Sequence, residues 1–345
     1  MATHGPFCSV IVVNFNGKHL LAECLSSVLA QDYPGFEVVL VDNGSADGSV
    51  DYVRATFPAV HVVAAHENLG YAAGNNLGVR SAKGEVIILL NNDTKVRDGW
   101  LEALVDAVSA PDTAIASSLV FTRGIPREYY EKNGSINFLG HNIMRRFERP
   151  ENIFYGGGAS LAFKPSLLGE PFDPDYFAYG EDVYLGLRAR FRGYRVVHTN
   201  DSVVDHLGGA TTKRMRSRRL AMLQERNRLL NMLLFFSPST LLRMLPFIVL
   251  GCLAKLAVAA VSHRYSAVAT LQAWVWLSRH GAAISAKRKA LRREFAVPEA
   301  EVVAWMTAHV TNGESIPGRV LNALATAYCK ALGVRTLESL PRGTR

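Results

Sequence analysis

Cysteine is scarce in this chain. Its four cysteines, Cys8, Cys24, Cys252 and Cys329, are scattered and form no CxxC pair. Reduced thiols fit that pattern; a disulfide framework or a thiolate zinc site does not. Also missing is an unbroken apolar run of the ~20 residues that cross a bilayer. Residues 244–261 come nearest, but Pro246, Gly251 and Lys255 interrupt them and Arg243 precedes them. A buried helix pair or an in-plane interfacial helix is expected there rather than a span. No signal-peptide pattern opens the chain, because residues 9–13 are already strand-like, so the expectation is a protein facing the cytoplasm. No GxGxxG fingerprint follows that first strand and no Walker loop occurs, which weakens dehydrogenase and P-loop readings. Internal repeats and low-complexity tracts are absent.

What is present is apolar and basic. The chain has 345 residues, 49% of them hydrophobic, enough for one large α/β domain with an appended piece and too apolar for general disorder. The net charge of +8 is unevenly spread. Residues 213–228 hold Lys213, Arg214, Arg216, Arg218, Arg219, Arg226 and Arg228 against Glu225 alone, and Lys287, Arg288, Lys289, Arg292 and Arg293 form a second cluster. Basic clusters beside apolar helices suit an anionic membrane surface or a phosphate-bearing ligand. A solvated helix face is the plainer alternative. Nucleic acid is not expected as a partner, since neither aromatic interleaving nor a nucleic-acid motif accompanies the charge.

Residues 1–110 alternate strand and helix signals, which implies βαβ units and a parallel sheet. Strands are expected at 9–13, 36–41, 60–64 and 86–90, and helices at 18–30, 47–57, 74–81 and 100–109. Residues 114–210 are less regular. They contain the run Gly156-Gly157-Gly158, a strand at 159–163, a helix at 182–192 and short strands at 195–198 and 202–204. Composition shifts near Thr211 to helices rich in Leu, Ala and Arg, giving expected domains of 1–210 and 211–345.

The chemistry-bearing residues sit at strand ends, where open α/β sheets bind ligands. Asn14 and Asn16 follow strand one; Asp42 and Asn43 follow strand two. Such side chains can bond a base or ribose, or they can cap a turn. Asn68, Gly70 and Asn75 lie in a glycine-spaced segment entering a helix, which can offer backbone N–H groups to phosphate. Asn91-Asn92-Asp93 ends the fourth strand, and an Asp there can hold Mg²⁺ or Mn²⁺. Glu181-Asp182 follows the aromatic approach Tyr176-Phe177-Ala178-Tyr179-Gly180. Carboxylates shielded by aromatics hold protons more tightly, as a general base needs, though an acidic pair also suits a helix start. His206 can supply a neutral imidazole ligand or be structural.

In this order the elements resemble the family 2 glycosyltransferases of GT-A fold, an α/β class with a Rossmann-like, mostly parallel sheet flanked by helices. The likeness covers residues 7–210 and is nearest to rhamnosyltransferase-type members. It implies inverting transfer from a nucleotide-sugar donor to a glycan or lipid-diphosphate-linked acceptor. Asp182 would be the base, Glu181 an orienting carboxyl, and Asp93 with His206 the metal ligands. Asn14, Asn16, Asp42, Asn43, Asn68, Gly70, Asn75 and Asn92 would line the nucleotide-sugar site. Two departures stand out. Asn91-Asn92-Asp93 replaces the usual Asp-x-Asp, leaving one metal carboxylate. The Gln-x-x-Arg-Trp motif of processive synthases is missing, with Gln224-Glu225-Arg226-Asn227-Arg228 in its region, which points to single-sugar transfer. The helical C-terminal region would dock on the inner face of the cell membrane or form a homodimer. A non-catalytic binding module and a nucleotidyltransferase are the competing readings.

Overall fold

The computed structural model describes residues 5–125, 133–145, 152–207, 218–261, 266–312 and 315–341. The basic residues 213–217 lie outside them. The chain divides into two compact units. The first comprises Met1–Glu131, Gly156–Ala189 and Tyr194–Arg214. The second comprises Lys132–Tyr155, Arg190–Gly193 and Met215–Arg345.

The first unit is built on an eight-stranded mixed sheet. Four strands are parallel neighbours: β3 (His61–Ala64), β2 (Phe36–Asp42), β1 (Cys8–Asn14) and β4 (Val86–Asn91). β1 and the core of β4 are buried almost end to end, as a central parallel strand covered on both faces should be. Cys8, Val10 and Val12 point to the face packed by α1 (Lys18–Leu29) and α4 (Trp100–Val108). Ile11 points to the other face, under α3 (Gly70–Ser81). A Cβ at Gly78 would come within 2.5 Å of Ile11 Cγ2, so only glycine lets this helix lie so close to the sheet.

The second half of the sheet carries its antiparallel strands. β9 (Ser160–Phe163) runs antiparallel between β4 and β6 (Thr113–Thr122), and β6 lies parallel to β10 (Arg195–His206). β5 (Thr94–Val96) closes the edge, antiparallel to β10. Sequence reading expects two short strands at 195–198 and 202–204; they are one strand with a register shift between Thr199 and Val203. It also overlooks β5 and the long β6. A buried hydroxyl cluster ties these strands together. Ser160 Oγ accepts from Trp100 Nε1 at 3.0 Å, and Ser118 Oγ lies 2.8 Å from both Ser160 Oγ and Ser202 Oγ.

The second unit pairs a hairpin, β7 (Asn133–Ile136) with β8 (Asn142–Arg145), and helices from α7 (Arg218–Phe235) onward. Phe191, Phe235 and Phe295 stack at its centre, with Phe191 and Phe295 centroids 4.1 Å apart and Phe236 edge-on to Phe191. Within α7, Arg228 is buried and bonded to Glu225 and to the Leu139 carbonyl, so part of the basic excess is internal. Residues 244–261 fall in one helix, α8 (Pro238–Val261), and among the described residues no helix is long and apolar enough to cross a membrane.

Candidate active site

Parallel register brings the strand tips together. Asn14 on β1 sits opposite Asp42 on β2, and Val13 opposite Asn91 on β4. Asn14 then bridges all three strands: its Nδ2 donates to Asp42 Oδ1 at 3.1 Å and its Oδ1 accepts from Asn92 Nδ2 at 2.8 Å. Asp42 Oδ2 accepts from the Ser45 amide at 2.9 Å, and Ser45 Oγ accepts from the Asn16 amide at 2.8 Å. Asn16 is in the left-handed region at φ 50, and its Oδ1 accepts from the Ala46 amide. The two loops are therefore laced to each other. Asp47 behaves as a turn cap, accepting from Ser49 and from the Lys18 amide, which holds its carboxyl below the usual range despite burial.

The glycine-spaced segment differs from its expected form. Its helix begins at Gly70, four residues earlier than the spacing predicts. The amides at its start are already used: Gly70 N–H donates to Asn68 Oδ1, Leu69 N–H to Asn43 Oδ1 and Ala72 N–H to the Phe177 carbonyl. Little of this helix end is left for a phosphate. Asn43 and Asn68 brace the turn through a 3.2 Å bond. Asn75 is buried inside the helix and donates to the Tyr71 carbonyl.

Gly70 also sets the other side of the site. At φ +82 it packs on Phe177, and an added Cβ would stand 2.5 Å from the Phe177 carbonyl oxygen. Phe177 has φ 59 and ψ −63, and Ala178 N–H donates back to the Tyr176 carbonyl at 2.6 Å. That is a γ-turn of the rare positive-φ kind, held under strain. Tyr179 and Gly180 follow at φ 71 and 79. This contorted approach ends on Glu181 and Asp182, in the first turn of α6 (Glu181–Phe191).

The carboxylates converge near Gly158. A Cβ there would meet Asp182 Cβ at 3.8 Å, the Tyr71 hydroxyl at 3.9 Å and Glu181 Oε1 at 4.0 Å. Tyr71 donates to the Gly158 carbonyl at 2.8 Å. Burial, then the charges of Glu181, Asp182 and Asp93, push its phenol pKa upward. Tyr71 is the residue that sequence reading leaves without a role, although it stands inside the glycine-spaced motif. Burial raises the pKa of both acids. Asp182, whose Oδ1 accepts from the Val183 amide at 2.7 Å, is raised less; the neighbouring Asp182 charge raises Glu181 further. Glu181 Oε2 is buried without a hydrogen bond among the described residues. At neutral pH the pair thus holds one readily ionised carboxyl, Asp182, beside one that favours its proton.

A profile described as Glycosyl transferase family 2 matches residues 9–170, the stretch that supplies the three strand tips, α3 and the Gly158 loop. Residues 9–170 belong to glycosyl transferase family 2. The chain is 30% identical over 226 residues to the O-antigen biosynthesis protein RfbC of Myxococcus xanthus, covering 60% of this chain and 18% of that protein. It is 26% identical over 212 residues to glycosyltransferase AglE of Haloferax volcanii, covering 58% of this chain and 67% of AglE. The chain therefore spans under a fifth of the first relative's length and about two thirds of the second's. A crystal structure of GalNAc-T7 with UDP, GalNAc and Mn²⁺ shares the GT-A fold at a TM-score of 0.57 and 18% identity, covering 68% of this chain and 49% of that one.

The family 2 domain implies a divalent cation, and two side chains fit one. β5–β10 pairing sets His206 opposite Thr94, and Leu207 N–H donates to the Asp93 carbonyl. His206 Nε2 lies 3.1 Å from Asp93 Oδ1, within ion-pair reach, yet the two are not aligned as a hydrogen bond and Nε2 has no other partner among the described residues. A buried imidazole nitrogen left unbonded beside a carboxylate is a donor pair that a divalent cation satisfies. Asp205 points the opposite way, paired with Arg97 at 2.7 and 2.8 Å, as strand alternation requires. Among the described residues no group of three or more His, Cys, Asp or Glu could hold a metal. Other coordination positions would fall to ligand oxygens and water.

Proposed function

We propose that this chain is an inverting glycosyltransferase that moves one sugar from a nucleoside-diphosphate donor to a hydroxyl of a glycan or lipid-diphosphate-linked acceptor. The observation that carries this reading is the meeting of Asp182, Glu181 and Tyr71 at Gly158, with Asp93 and His206 on the adjoining strand tips. Asp182 takes the proton of the acceptor hydroxyl. That oxygen bonds to the anomeric carbon as the carbon–oxygen bond to the diphosphate breaks and its electron pair leaves with the nucleotide. Glu181, holding its proton, donates to a substrate hydroxyl. Asp93 and His206 hold Mg²⁺ or Mn²⁺, which when bound neutralises charge gathering on the diphosphate. The buried network of Asn14, Asp42 and Asn92, with Asn16 and the Asn43–Asn68–Gly70 turn, shapes the nucleotide side.

Thymidine-diphosphate-rhamnose is the first donor to test, on the rhamnosyltransferase resemblance, and uridine-diphosphate sugars the second, since GalNAc-T7 was solved with UDP. Cell-surface polysaccharide synthesis at the cytoplasmic face of the membrane is the setting, in keeping with the O-antigen role in RfbC's name. The test is nucleoside-diphosphate release from a donor panel with Mg²⁺, Mn²⁺ or chelator, comparing wild type with Asp182→Asn. Metal-dependent release from one donor, cut about 10²–10⁴-fold by the substitution, supports the reading. Undiminished release in Asp182→Asn removes the base assignment, and no release from any donor favours a non-catalytic binding module.

A further inference from the structure

His206 is gripped by the strands on either side of it. On β6, Thr122 stands opposite His206 in the parallel register, and the Arg123 amide donates to the His206 carbonyl at 3.0 Å. On the β5 side, the Leu207 amide donates to the Asp93 carbonyl at 3.0 Å. The imidazole is thereby framed by two side chains. Its Nδ1 is 3.4 Å from Thr122 Oγ1, and its Nε2 is 3.1 Å from Asp93 Oδ1. Both the ring and the carboxylate are largely buried, at 16% and 7% exposure.

A neutral imidazole carries one N–H, and its neighbours decide which nitrogen has it. The Thr122 hydroxyl serves either form, since it can accept from Nδ1–H or donate to a bare Nδ1. The other nitrogen decides between them. A proton on Nε2 would be buried with no aligned acceptor among the described residues, because Asp93 Oδ1 is near but off its axis. A buried donor left unbonded is costly, so the geometry favours the proton on Nδ1. Nε2 then turns a lone pair toward the Asp93 side, 3.1 Å from a carboxylate oxygen. Two such atoms repel unless they share a cation. Neighbouring ligands of an octahedral ion with bonds of about 2.0–2.1 Å stand about 2.9 Å apart, close to the spacing seen here.

We propose that Thr122 is a positioning residue for the metal site: its hydroxyl accepts the Nδ1 proton of His206 and so keeps the Nε2 lone pair free for the cation shared with Asp93. This role rests on the reading of Asp93 and His206 as metal ligands. Two readouts on the full chain test it, and neither needs turnover. The first is the His206 tautomer in metal-free protein with the ring neutral, read by long-range ¹H–¹⁵N correlation of ¹⁵N-histidine-labelled protein and assigned by signal loss in His206→Gln. The second is the affinity for Mn²⁺, alone and with UDP, followed by electron paramagnetic resonance. Thr122→Val keeps the branched shape and removes the hydroxyl, and Thr122→Ser keeps the hydroxyl; circular dichroism confirms both folds. The expected result is a proton on Nδ1 in wild type that moves toward Nε2 in Thr122→Val, with Mn²⁺ affinity lowered about 10–100-fold, and with both properties restored in Thr122→Ser. A wild-type proton on Nε2 overturns the proposal, as does a Thr122→Val protein with unchanged tautomer and Mn²⁺ affinity. A loss that Thr122→Ser does not restore overturns it in favour of packing. Wild type that binds no Mn²⁺ under either condition removes the metal reading itself, whereas wild type and Thr122→Val binding it equally removes only the role of Thr122.

Discussion

Replacing Gly70 with alanine tests whether the two halves of the site are one mechanical unit. Gly70 is at φ +82, where an L side chain costs about 1–2 kcal/mol. The new Cβ would also stand 2.5 Å from the Phe177 carbonyl oxygen and 2.6 Å from Phe177 Cδ2. Backbone blocks one side, so flexible side-chain motion cannot relieve the clash. The Phe177 turn, already strained, has to shift by a large part of an ångström. Together the two effects should destabilise the first unit by about 3 kcal/mol, or roughly 6–12 °C in its melting midpoint. The same shift carries through Tyr179 and Gly180 to Asp182, and a misplacement near 1 Å costs catalysis about 10²-fold. Calorimetry and nucleoside-diphosphate release on one preparation measure both. Losses in midpoint and in kcat, with donor affinity less affected, support the argument. An unchanged midpoint with unchanged turnover refutes it, because the α3 start and the Glu-Asp approach would then be independent.

Three further outcomes follow from the same geometry. Asp93→Ala should weaken donor binding in the presence of Mg²⁺ or Mn²⁺ and leave binding in chelator unchanged, measured by titration calorimetry; unaltered metal dependence removes Asp93 from the metal site. Turnover should fall with pH on the acid side at a midpoint above the ~4 of a free carboxylate, because burial raises Asp182 and the base works only when deprotonated; a pH–rate profile flat down to about 4 contradicts this. Glu181 is also raised in the folded state, so its contribution to stability is fully present below the unfolded pKa and is lost as pH rises through the folded one. With the Glu181 pKa raised to about 8, Glu181→Gln should therefore gain on wild type by about 4 kcal/mol between pH 5 and pH 9 in chemical denaturation, and an equal difference at both pH values counts against the buried, unbonded carboxyl.

The parts of this fold that a sequence displays are those set by local pattern. Apolar runs ending in polar residues mark β1, β2 and β4, and their parallel alignment follows from the helices between them. Register then places Asn14 beside Asp42 and brings Asn92, one residue past the end of β4, to Asn14, which is why their order along the chain carries so much information. What pattern does not display is set by long-range pairing. β5 is three residues long and exists because β10 pairs with it; that pairing alone brings His206 to Asp93, over a hundred residues away. β10 reads as two strands because Thr199–Val203 interrupts its alternation, while Ser202 is held by Ser118 and by the Trp100 carbonyl.

The same division explains the reading of the glycine-spaced segment. Glycines entering a helix suggest a phosphate cradle, and the helix is there. Its free amides are claimed by Asn43, Asn68 and Phe177, and the last of these comes from a loop over a hundred residues downstream. Gly70 is needed for that contact and Gly78 for the approach to Ile11, so two of the motif's glycines answer to packing. Tyr71 shows the converse. Its residue type invites a core assignment, yet its hydroxyl holds the Gly158 loop against the Glu-Asp pair. A motif therefore indicates which residues meet, whereas the division between ligand contact and support depends on which of their polar atoms the fold has already satisfied. By that criterion the buried atoms of this site with capacity left, among the described residues, are Glu181 Oε2 and His206 Nε2, and these are the atoms from which substrate and metal recognition should be built.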